Sequence, residues 1–266
     1  MATDRADQVI GDVLQRLRQA IVENDVTYDE YRILTQWLID VGRAGEWPLF
    51  LDVFIESGVE QHVYRDRRGS QGTILGPYHL PDSPVLDVPY ELPRRPDEPG
   101  DRLVFSGRVL DSEGQPLAGA MLDIWQADAQ GLYSGFAPEV PEGNLRGRVI
   151  ADDQGRYQVR TIVPAPYTIP HDGPTGRMIA AAGWHPWRPA HIHLIVSADG
   201  REALTTQLYP NFSDYLDSDV AGAVKDALIV HPERRERDPD LGADGAHLYF
   251  ENDFTLAAAR TPSAVG

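Results

Sequence analysis

The sequence predicts a mainly β fold, in which a β-sandwich core follows an N-terminal α-helical region. Apolar residues recur every three or four positions over about the first sixty residues, which is the period of a helix. A proline-rich stretch from Pro77 to Pro99 then shows no helical period. Beyond it, short runs of alternating apolar and polar residues are separated by turn sequences, which is typical of a sandwich.

Three helices are expected in the N-terminal region. The first carries an apolar stripe formed by Val9, Ile10, Val13, Leu14, Leu17, Ile21 and Val22. The second begins at a capping box of Thr27 and Glu30 and ends between Gly42 and Gly45. The third begins at Pro48 and spans PLFLDVFIESGVEQHVY, whose high apolar content is consistent with burial on two sides.

Strands are expected wherever apolar and polar residues alternate in short runs. These runs are LVFSGRVL, AGAMLDIW, GRVIA, RYQVRTIV, AHIHLIV and ALTTQLY. The turn sequences DSEGQ, DDQG and SADG lie between them and favour hairpins. We therefore predict a helical region at residues 1–66 and a β-sandwich domain at residues 67–266, with a frayed tail over the final AAARTPSAVG.

Composition excludes several classes of function. The 266-residue chain has a formal net charge of -17, which repels nucleic acid and anionic membrane surfaces. There is no cysteine, so any metal must be held by His, Tyr, Asp or Glu. No apolar run is long enough to span a bilayer, and the first residues offer no hydrophobic segment of a signal peptide. We expect a cytoplasmic protein that binds neither nucleic acid nor membrane.

The segment RPAHIHLIV contains the strongest local signal for a metal site. Residues two apart in a strand point to the same face, so the imidazoles of His191 and His193 can bind one metal ion. The alternative is that one of them is an ordinary core histidine. Arg188, three residues earlier, would lower the proton affinity of these rings and attract an anionic substrate, unless it is a surface arginine in a turn.

Two tyrosines lie in loops that suit a functional role. Tyr133 occurs in QGLYSGF, and Tyr167 occurs between prolines in VPAPYTIP. A phenolate is a hard, anionic donor suited to Fe(III), whereas zinc would more naturally take a carboxylate or a third histidine. Most tyrosines are packing residues, so both interpretations stay open at this point.

Several segments together resemble one enzyme family. WQADAQGLYSGF, GRYQVRTIVPAPYTIPHDGPTG and GWHPWRPAHIHLIV are similar to segments of the intradiol dioxygenases, namely the catechol 1,2-dioxygenases and their chlorocatechol and hydroxyquinol relatives. EWPLFLDVF, TILGPY and YLDSD extend the resemblance over most of the chain. The resemblance implies an oxidoreductase of aromatic catabolism that needs only iron and O2.

The resemblance also implies roles for individual residues. Tyr133, Tyr167, His191 and His193 would bind one Fe(III) per subunit. Arg188 and Gln207 would orient the substrate and stabilise negative charge on its ring, and Tyr167 would also take a substrate proton. The substrate pocket would be lined by Leu49, Asp52, Val53, Ile74, Pro77, Tyr78, Val220 and Ala221.

The expected reaction is cleavage of catechol by O2 to cis,cis-muconate. Chlorocatechols and hydroxyquinol are the alternative substrates, because segments of the chain resemble those enzymes as well. Asp52 would favour hydroxyquinol if its carboxylate accepted a hydrogen bond from a third ring hydroxyl. If Asp52 instead faces water on its helix, it has no such role.

The resemblance implies a homodimer that pairs through the N-terminal helices. The apolar surface of these helices supports this, since a short helical unit cannot bury it alone. A phospholipid is a further expectation, held in a tunnel at that interface with Val9, Val13 and Leu17 as lining residues.

Two other classes of function compete with this reading. GRVLDSEGQPLAGAMLDIW resembles the opening of transthyretin-like β-sandwich modules, which are not catalytic. The set of four potential ligands argues against that alternative. A zinc hydrolase using histidines with Asp52 or Asp172 is the second rival, although neither carboxylate lies in a zinc-binding spacing.

Overall fold

The computed structural model describes residues 3–237 and 245–259. The described chain forms two compact units, of which the first ends at Trp47 and the second begins at Pro48. Most of the predicted tail, residues 260–266, lies outside the described residues. Within those residues, no helix is sufficiently long and apolar to cross a membrane.

The first unit contains the two predicted helices, α1 at Thr3–Glu23 and α2 at Tyr28–Arg43. The capping box is confirmed, because the backbone N–H of Glu30 donates to Oγ1 of Thr27 over 3.3 Å and the N–H of Thr27 donates to Oε2 of Glu30 over 2.8 Å. The predicted stripe of α1 is exposed along its length.

The prediction of a single third helix is wrong. The segment forms two helices, α3 at Trp47–Phe54 and α4 at Glu56–Tyr64. Ile55 separates them with a φ of -118°, far from the value of about -63° that continues an α-helix. Each of the two helices has one buried residue, Val53 on α3 and Glu60 on α4.

All six predicted runs form strands. The twelve strands are β1 Arg102–Asp111, β2 Met121–Gln126, β3 Arg146–Ile150, β4 Arg156–Ile162, β5 Tyr167–Thr168, β6 Trp187–Arg188, β7 Ile192–Ser197, β8 Leu204–Pro210, β9 Ile229–Val230, β10 Glu233–Arg235, β11 His247–Glu251 and β12 Phe254–Leu256. The other six, β5, β6 and β9–β12, were not predicted from the sequence, and all of them except β11 have only two or three residues.

Two five-stranded sheets share one hydrophobic core. One has the order β10-β11-β1-β12 with β4 on the other edge of β1, and the other has the order β3-β2-β7-β8-β9. Phe105 of the first sheet and Leu194 of the second belong to the same core cluster. The term mainly β is too strong, however, because helix and strand each account for 25% of the structure.

A fifth helix, α5 at Pro174–Ala181, was also not predicted. Pro174 occupies its first turn, where a proline costs no hydrogen bond, and Gly183 follows its end with a φ of +70°. Both signals were present in the sequence. The helix is only eight residues long, which makes its apolar period hard to recognise.

Candidate metal centre

The two histidines meet at their Nε2 atoms. His193 lies on β7 and His191 lies just before it, and each is 1% exposed. Their Nε2 atoms are 3.0 Å apart. The alternation of side chains along the strand therefore brings both rings to one point, as predicted.

Burial keeps both imidazoles neutral. The ring of His191 directs Nδ1 at the carbonyl oxygen of Pro189 over 2.7 Å, which places the proton on Nδ1 and leaves the lone pair on Nε2. Burial, and next the positive charge of Arg188, lowers the pKa of His191 to about 3. Burial and then the neighbouring His191 lower the pKa of His193 well below its usual value.

The two tyrosines approach the same point from different segments, Tyr133 from the loop after β2 and Tyr167 from the strand β5. The hydroxyl of Tyr167 lies 3.5 Å from Nε2 of His191. The ring of Tyr133 is 5.2 Å from the ring of Tyr167 and 6.1 Å from that of His193, measured between centroids. Gly131 allows this approach, since a Cβ there would lie 2.9 Å from Cβ of Tyr167.

The donor atoms fit the single Fe(III) ion that the resemblance implies. Nε2 of His191 lies 3.0 Å from Nε2 of His193 and 3.5 Å from the hydroxyl of Tyr167, and ligands at about 2.1 Å from one ion have such separations. Among the described residues, the buried hydroxyl of Tyr133 has no hydrogen-bond partner. Burial raises the pKa of both phenols, so a highly charged cation is needed to hold them as phenolates.

The phenols are essential to this donor set. Across residues 3–237 and 245–259, no group of three or more His, Asp and Glu side chains is placed to hold a metal ion. Of the carboxylates considered for a zinc site, Asp172 is exposed and Asp52 is partly exposed. Imidazoles and phenols are therefore the candidate metal-binding groups of this site.

Arg188 is a buried cation that contacts Tyr167 and His191. It is 2% exposed on β6, so the alternative of a surface arginine is wrong. Its Nε and Nη2 atoms contact the carboxylate of Asp219 at 3.0 and 3.1 Å. Although burial by itself would raise the pKa of Asp219, the guanidinium outweighs that effect and holds the pKa below its usual value. Nη1 of Arg188 then points at Tyr167 and His191, 3.4 and 3.2 Å away.

Gln207 lies beside Arg188 on β8. Its Oε1 accepts hydrogen bonds from Nη2 of Arg188 over 3.0 Å and from the hydroxyl of Tyr209 over 2.5 Å. Its Nε2 donates to the carbonyl oxygen of Ile74 over 2.8 Å. The amide group of Gln207 is completely buried. Its oxygen faces only donors and its nitrogen faces an acceptor, so the orientation of the amide is fixed.

Most of the predicted pocket residues lie in one hydrophobic cluster with the tyrosines. That cluster contains Leu49, Val53, Ile74, Tyr78, Val220 and Ala221 together with Tyr133 and Tyr167. Three of them, Val53, Val220 and Ala221, also line a cavity of about 530 Å³. Pro77 and Asp52 are outside the cluster, and burial raises the pKa of the Asp52 carboxyl.

Three residues of the site were missed in the sequence. Trp125 pairs with His193 across β2 and β7 and stacks on its ring at 4.7 Å. Tyr209 follows Gln207 by two positions, and alternation along β8 was a usable signal for it. Asp219, which lies in YLDSD, gave no signal of its own, because only the folded chain brings it to Arg188.

Comparisons with known proteins extend over almost the whole chain. A family model described as "Catechol dioxygenase N terminus" matches residues 3–71, and one described as "Dioxygenase" matches residues 74–257. These ranges meet between residues 71 and 74, whereas the compact units divide after Trp47. The boundary between residues 66 and 67 stays a prediction.

Individual relatives are named as chlorocatechol and hydroxyquinol 1,2-dioxygenases. The chlorocatechol 1,2-dioxygenase of Rhodococcus opacus is 42% identical over 233 residues, which are 86% of this chain and 91% of that protein. The hydroxyquinol 1,2-dioxygenase of Rhizobium sp. (strain MTP-10005) is 36% identical over 265 residues, 95% of this chain and 89% of that protein. The crystal structure of 3-chlorocatechol 1,2-dioxygenase from Rhodococcus opacus 1CP superposes with a TM-score of 0.90 at 47% identity, covering 97% of this chain and 100% of that chain.

Proposed function

Because the chain belongs to the intradiol ring-cleaving dioxygenases, we propose that it opens catechol with O2 between the two hydroxyl-bearing carbons, giving cis,cis-muconate. The observation that carries the proposal is the buried convergence of the two Nε2 atoms, 3.0 Å apart, with the tyrosine phenols. The alternative of a non-catalytic module is set aside, since the family consists of enzymes.

The family uses non-haem iron, and we assign one Fe(III) per subunit to Tyr133, Tyr167, His191 and His193. The chemistry that the metal supplies when bound is activation of an aromatic diol toward O2. Two neutral imidazoles and two phenolates are a donor set with two negative charges, which favours the oxidised ion over Fe(II).

Tyr167 is the residue we assign to hold a proton from the substrate. Burial raises the pKa of its phenol, and the charge of Arg188 offsets part of that rise. The phenolate is thus a strong enough base to take a proton from a ring hydroxyl. Burial raises the pKa of Tyr133 as well, so its phenolate would depend on the charge of the bound metal.

Arg188 and Gln207 are suited to act on the substrate ring. The guanidinium is buried and held by Asp219, so its position is fixed before a substrate binds. A preorganised cation in a dry site stabilises negative charge more strongly than one in water. Negative charge develops on the ring as a hydroxyl loses its proton to Tyr167, and the guanidinium of Arg188 contacts both Tyr167 and His191.

Chlorocatechols are a second candidate for the substrate. The names of relatives support them, and so do the apolar side chains of Val53, Val220 and Ala221, which belong to the same hydrophobic cluster as Tyr133 and Tyr167. Hydroxyquinol would need a polar partner for its third hydroxyl, for which Asp52 is the candidate. The substrates can be ranked by measuring kcat/KM in the parent enzyme and in Asp52→Asn. The compounds to compare are catechol, 3-chlorocatechol, 4-chlorocatechol and hydroxyquinol.

The decisive experiment is visible spectroscopy of the iron-loaded protein, before and after catechol is added without O2. We expect a red colour from tyrosinate-to-Fe(III) charge transfer that shifts when catechol binds. Admission of ¹⁸O₂ should then place both labelled atoms in the ring-opened product. A colourless iron-loaded protein, or a product cleaved outside the diol bond, would contradict the proposal.

We also propose a homodimer through the N-terminal helices, with a phospholipid bound in that region. The exposed apolar residues of α1, among them Val9, Val13 and Leu17, support this proposal. Lipid extraction followed by mass spectrometry tests the lipid. Absence of phospholipid from protein purified without detergent would remove that part of the proposal.

A further inference from the structure

The peptide group between Ile74 and Leu75 is held from both sides by side chains. Its carbonyl oxygen accepts a hydrogen bond of 2.8 Å from Nε2 of Gln207. Its N–H donates to Oε1 of Glu56, 3.0 Å away on α4. Residues 74 and 75 belong to no helix or strand, so side chains take the place of a backbone ladder here.

Gln207 carries this contact onward to the metal centre. A primary amide donates at one end and accepts at the other. When Nε2 is held by the carbonyl of Ile74, Oε1 must point away from it, toward Nη2 of Arg188 at 3.0 Å. The next guanidinium nitrogen, Nη1, contacts the hydroxyl of Tyr167 over 3.4 Å. A continuous chain of hydrogen bonds therefore runs from Glu56 to the site.

We propose that Glu56 is a positioning residue for ring cleavage, which orients the Ile74–Leu75 peptide and, through it, Gln207 and Arg188. A carboxylate that accepts from the N–H of a peptide polarises the group and strengthens its carbonyl as an acceptor. The hydrogen bond that Nε2 of Gln207 donates to this carbonyl oxygen is strengthened as a result. This inference rests on the proposed function, because the orientation of Arg188 matters only if it acts on the substrate.

The surroundings of Glu56 suit a fixed rather than a solvated carboxyl. It is half-buried, and burial, followed by the nearby charges of Asp52 and Glu60, raises its pKa. The hydrogen bond from the N–H of Leu75 opposes that rise. Both protonation states keep an acceptor oxygen for this N–H, so the contact itself does not depend on ionisation.

Glu60, one turn further along α4, provides a matched control. Its Oε2 pairs with Nζ of Lys225 at 2.7 Å, and the same Nζ donates to the carbonyl oxygen of Gly72 over 2.7 Å. Glu60 thus holds, through Lys225, the segment of residues 72–75 that Glu56 also contacts, and both glutamates lie on α4. Glu60 acts two residues before Ile74, however, and its contacts do not run through Gln207.

The test compares four variants in iron-loaded enzyme: Glu56→Ala, Glu56→Gln, Glu56→Asp and Glu60→Ala. Glu56→Ala and Glu56→Asp, which lose the acceptor or its reach, should lower kcat for catechol about tenfold, with KM and iron content nearly unchanged. Glu56→Gln keeps an oxygen at the right length and should recover most of the loss. Glu60→Ala should leave kcat unchanged. Two independent low-kcat variants keep the test valid if one of them does not fold.

Two further readouts separate positioning from a general loss of structure. In metal-free protein, amide hydrogen exchange of the peptide covering residues 74–76 should quicken in Glu56→Ala and not in Glu60→Ala. In a Gln207→Ala background, Glu56→Ala should have almost no further effect on kcat, because the chain is already broken.

Equal losses of kcat in Glu56→Ala and Glu60→Ala, a Gln variant as slow as the Ala variant, or full additivity with Gln207→Ala would each overturn the inference. Failure of the proposed function is distinguishable from these results. It would appear as a parent enzyme without the charge-transfer colour or without ring cleavage, before any Glu56 variant is compared.

Discussion

Tyr133 and Tyr157 are both buried, but their hydroxyl groups have different surroundings. The hydroxyl of Tyr157 donates to the carbonyl oxygen of Asn252 over 2.6 Å, far from the site in the main core. The hydroxyl of Tyr133 has no such partner in the described part of the chain. A buried polar atom without a partner costs free energy, and metal binding would remove that cost.

The first prediction compares the two tyrosines. Tyr133→Phe should weaken iron binding by more than about a hundredfold, since even residues one step beyond a ligand change metal affinity by 10–100-fold. The intensity of the visible absorption band should also be lower in Tyr133→Phe than in the parent. Tyr157→Phe should lower the free energy of unfolding by about 1 kcal/mol, through one lost hydrogen bond, and keep its iron. Metal analysis and visible absorption spectra of the two variants check this prediction. A normal iron content in Tyr133→Phe would show that Tyr133 is not a metal ligand.

The second prediction concerns the ion pair of Asp219 with Arg188. Asp219→Asn leaves a buried guanidinium without its carboxylate, so we expect a loss of about 3–5 kcal/mol in the free energy of unfolding at pH 7. The folded-state pKa of Asp219 is lowered, so this stabilisation is fully present above the unfolded pKa of about 3.9 and is lost as the pH falls through the folded pKa.

The difference between parent and Asp219→Asn should therefore shrink as the pH is lowered below about 4. Urea unfolding of the metal-free proteins at several pH values measures it. A difference that stays constant down to acid pH would show that the charge of Asp219 is not what stabilises the fold.

At the scale of elements, one loop and two strands form the metal centre. The loop after β2 supplies Tyr133, the strand β5 supplies Tyr167, and β7 supplies His193. Gly131 brings the Tyr133 loop close to β5. It has a φ of +82° and packs against the backbone of residues 166 and 167. Asp128 fixes the same loop by accepting hydrogen bonds from the backbone of residues 130 and 132.

The third prediction tests that loop with Gly131→Ala and Gly114→Ala. Both positions have positive φ, at +82° and +79°, so each alanine should cost about 1–2 kcal/mol of stability. Only at residue 131 would the new Cβ contact Tyr167, at 2.9 Å, whereas a Cβ at residue 114 has nothing within 4 Å. Gly131→Ala should therefore lose iron and shift the visible band. Equal iron content and spectra in both variants would contradict the packing argument.

For the whole molecule, the balance of charge and apolar surface bears on assembly. A net charge of -17 opposes nonspecific association, so a dimer needs a defined apolar surface. Helix α1 offers one, with Val13 and Leu17 exposed by 51% and 57%.

The fourth prediction is that the double substitution Val13→Asp and Leu17→Asp converts a dimer to monomer, because two carboxylates would have to be buried at the contact. Phe212→Asp, at a 53% exposed apolar residue of the second unit, is the control and should remain dimeric. Light scattering coupled to size exclusion measures the mass. A parent that is monomeric at micromolar concentration would disprove the dimer itself.

The sequence by itself determined the features that depend on local periodicity and spacing. The helices α1 and α2 and the six main strands follow from periods of 3.6 and 2, and the pairing of His191 with His193 follows from the same alternation. Local signals were weaker at Ile55, where the one predicted helix is divided into two, and in the short elements α5, β5, β6 and β9–β12. A two- or three-residue strand is formed by its neighbours, not by its own composition.

Only the tertiary structure decided which distant side chains meet at the site. Asp219 reaches Arg188 across 31 positions of the chain, and Glu56 reaches Leu75 across 19. Such contacts have no period and no fixed spacing, because loops and packing bring the partners together. The sequence indicated which groups are able to bind a metal, whereas the fold determined which of them are buried, how they are protonated and what holds them in place.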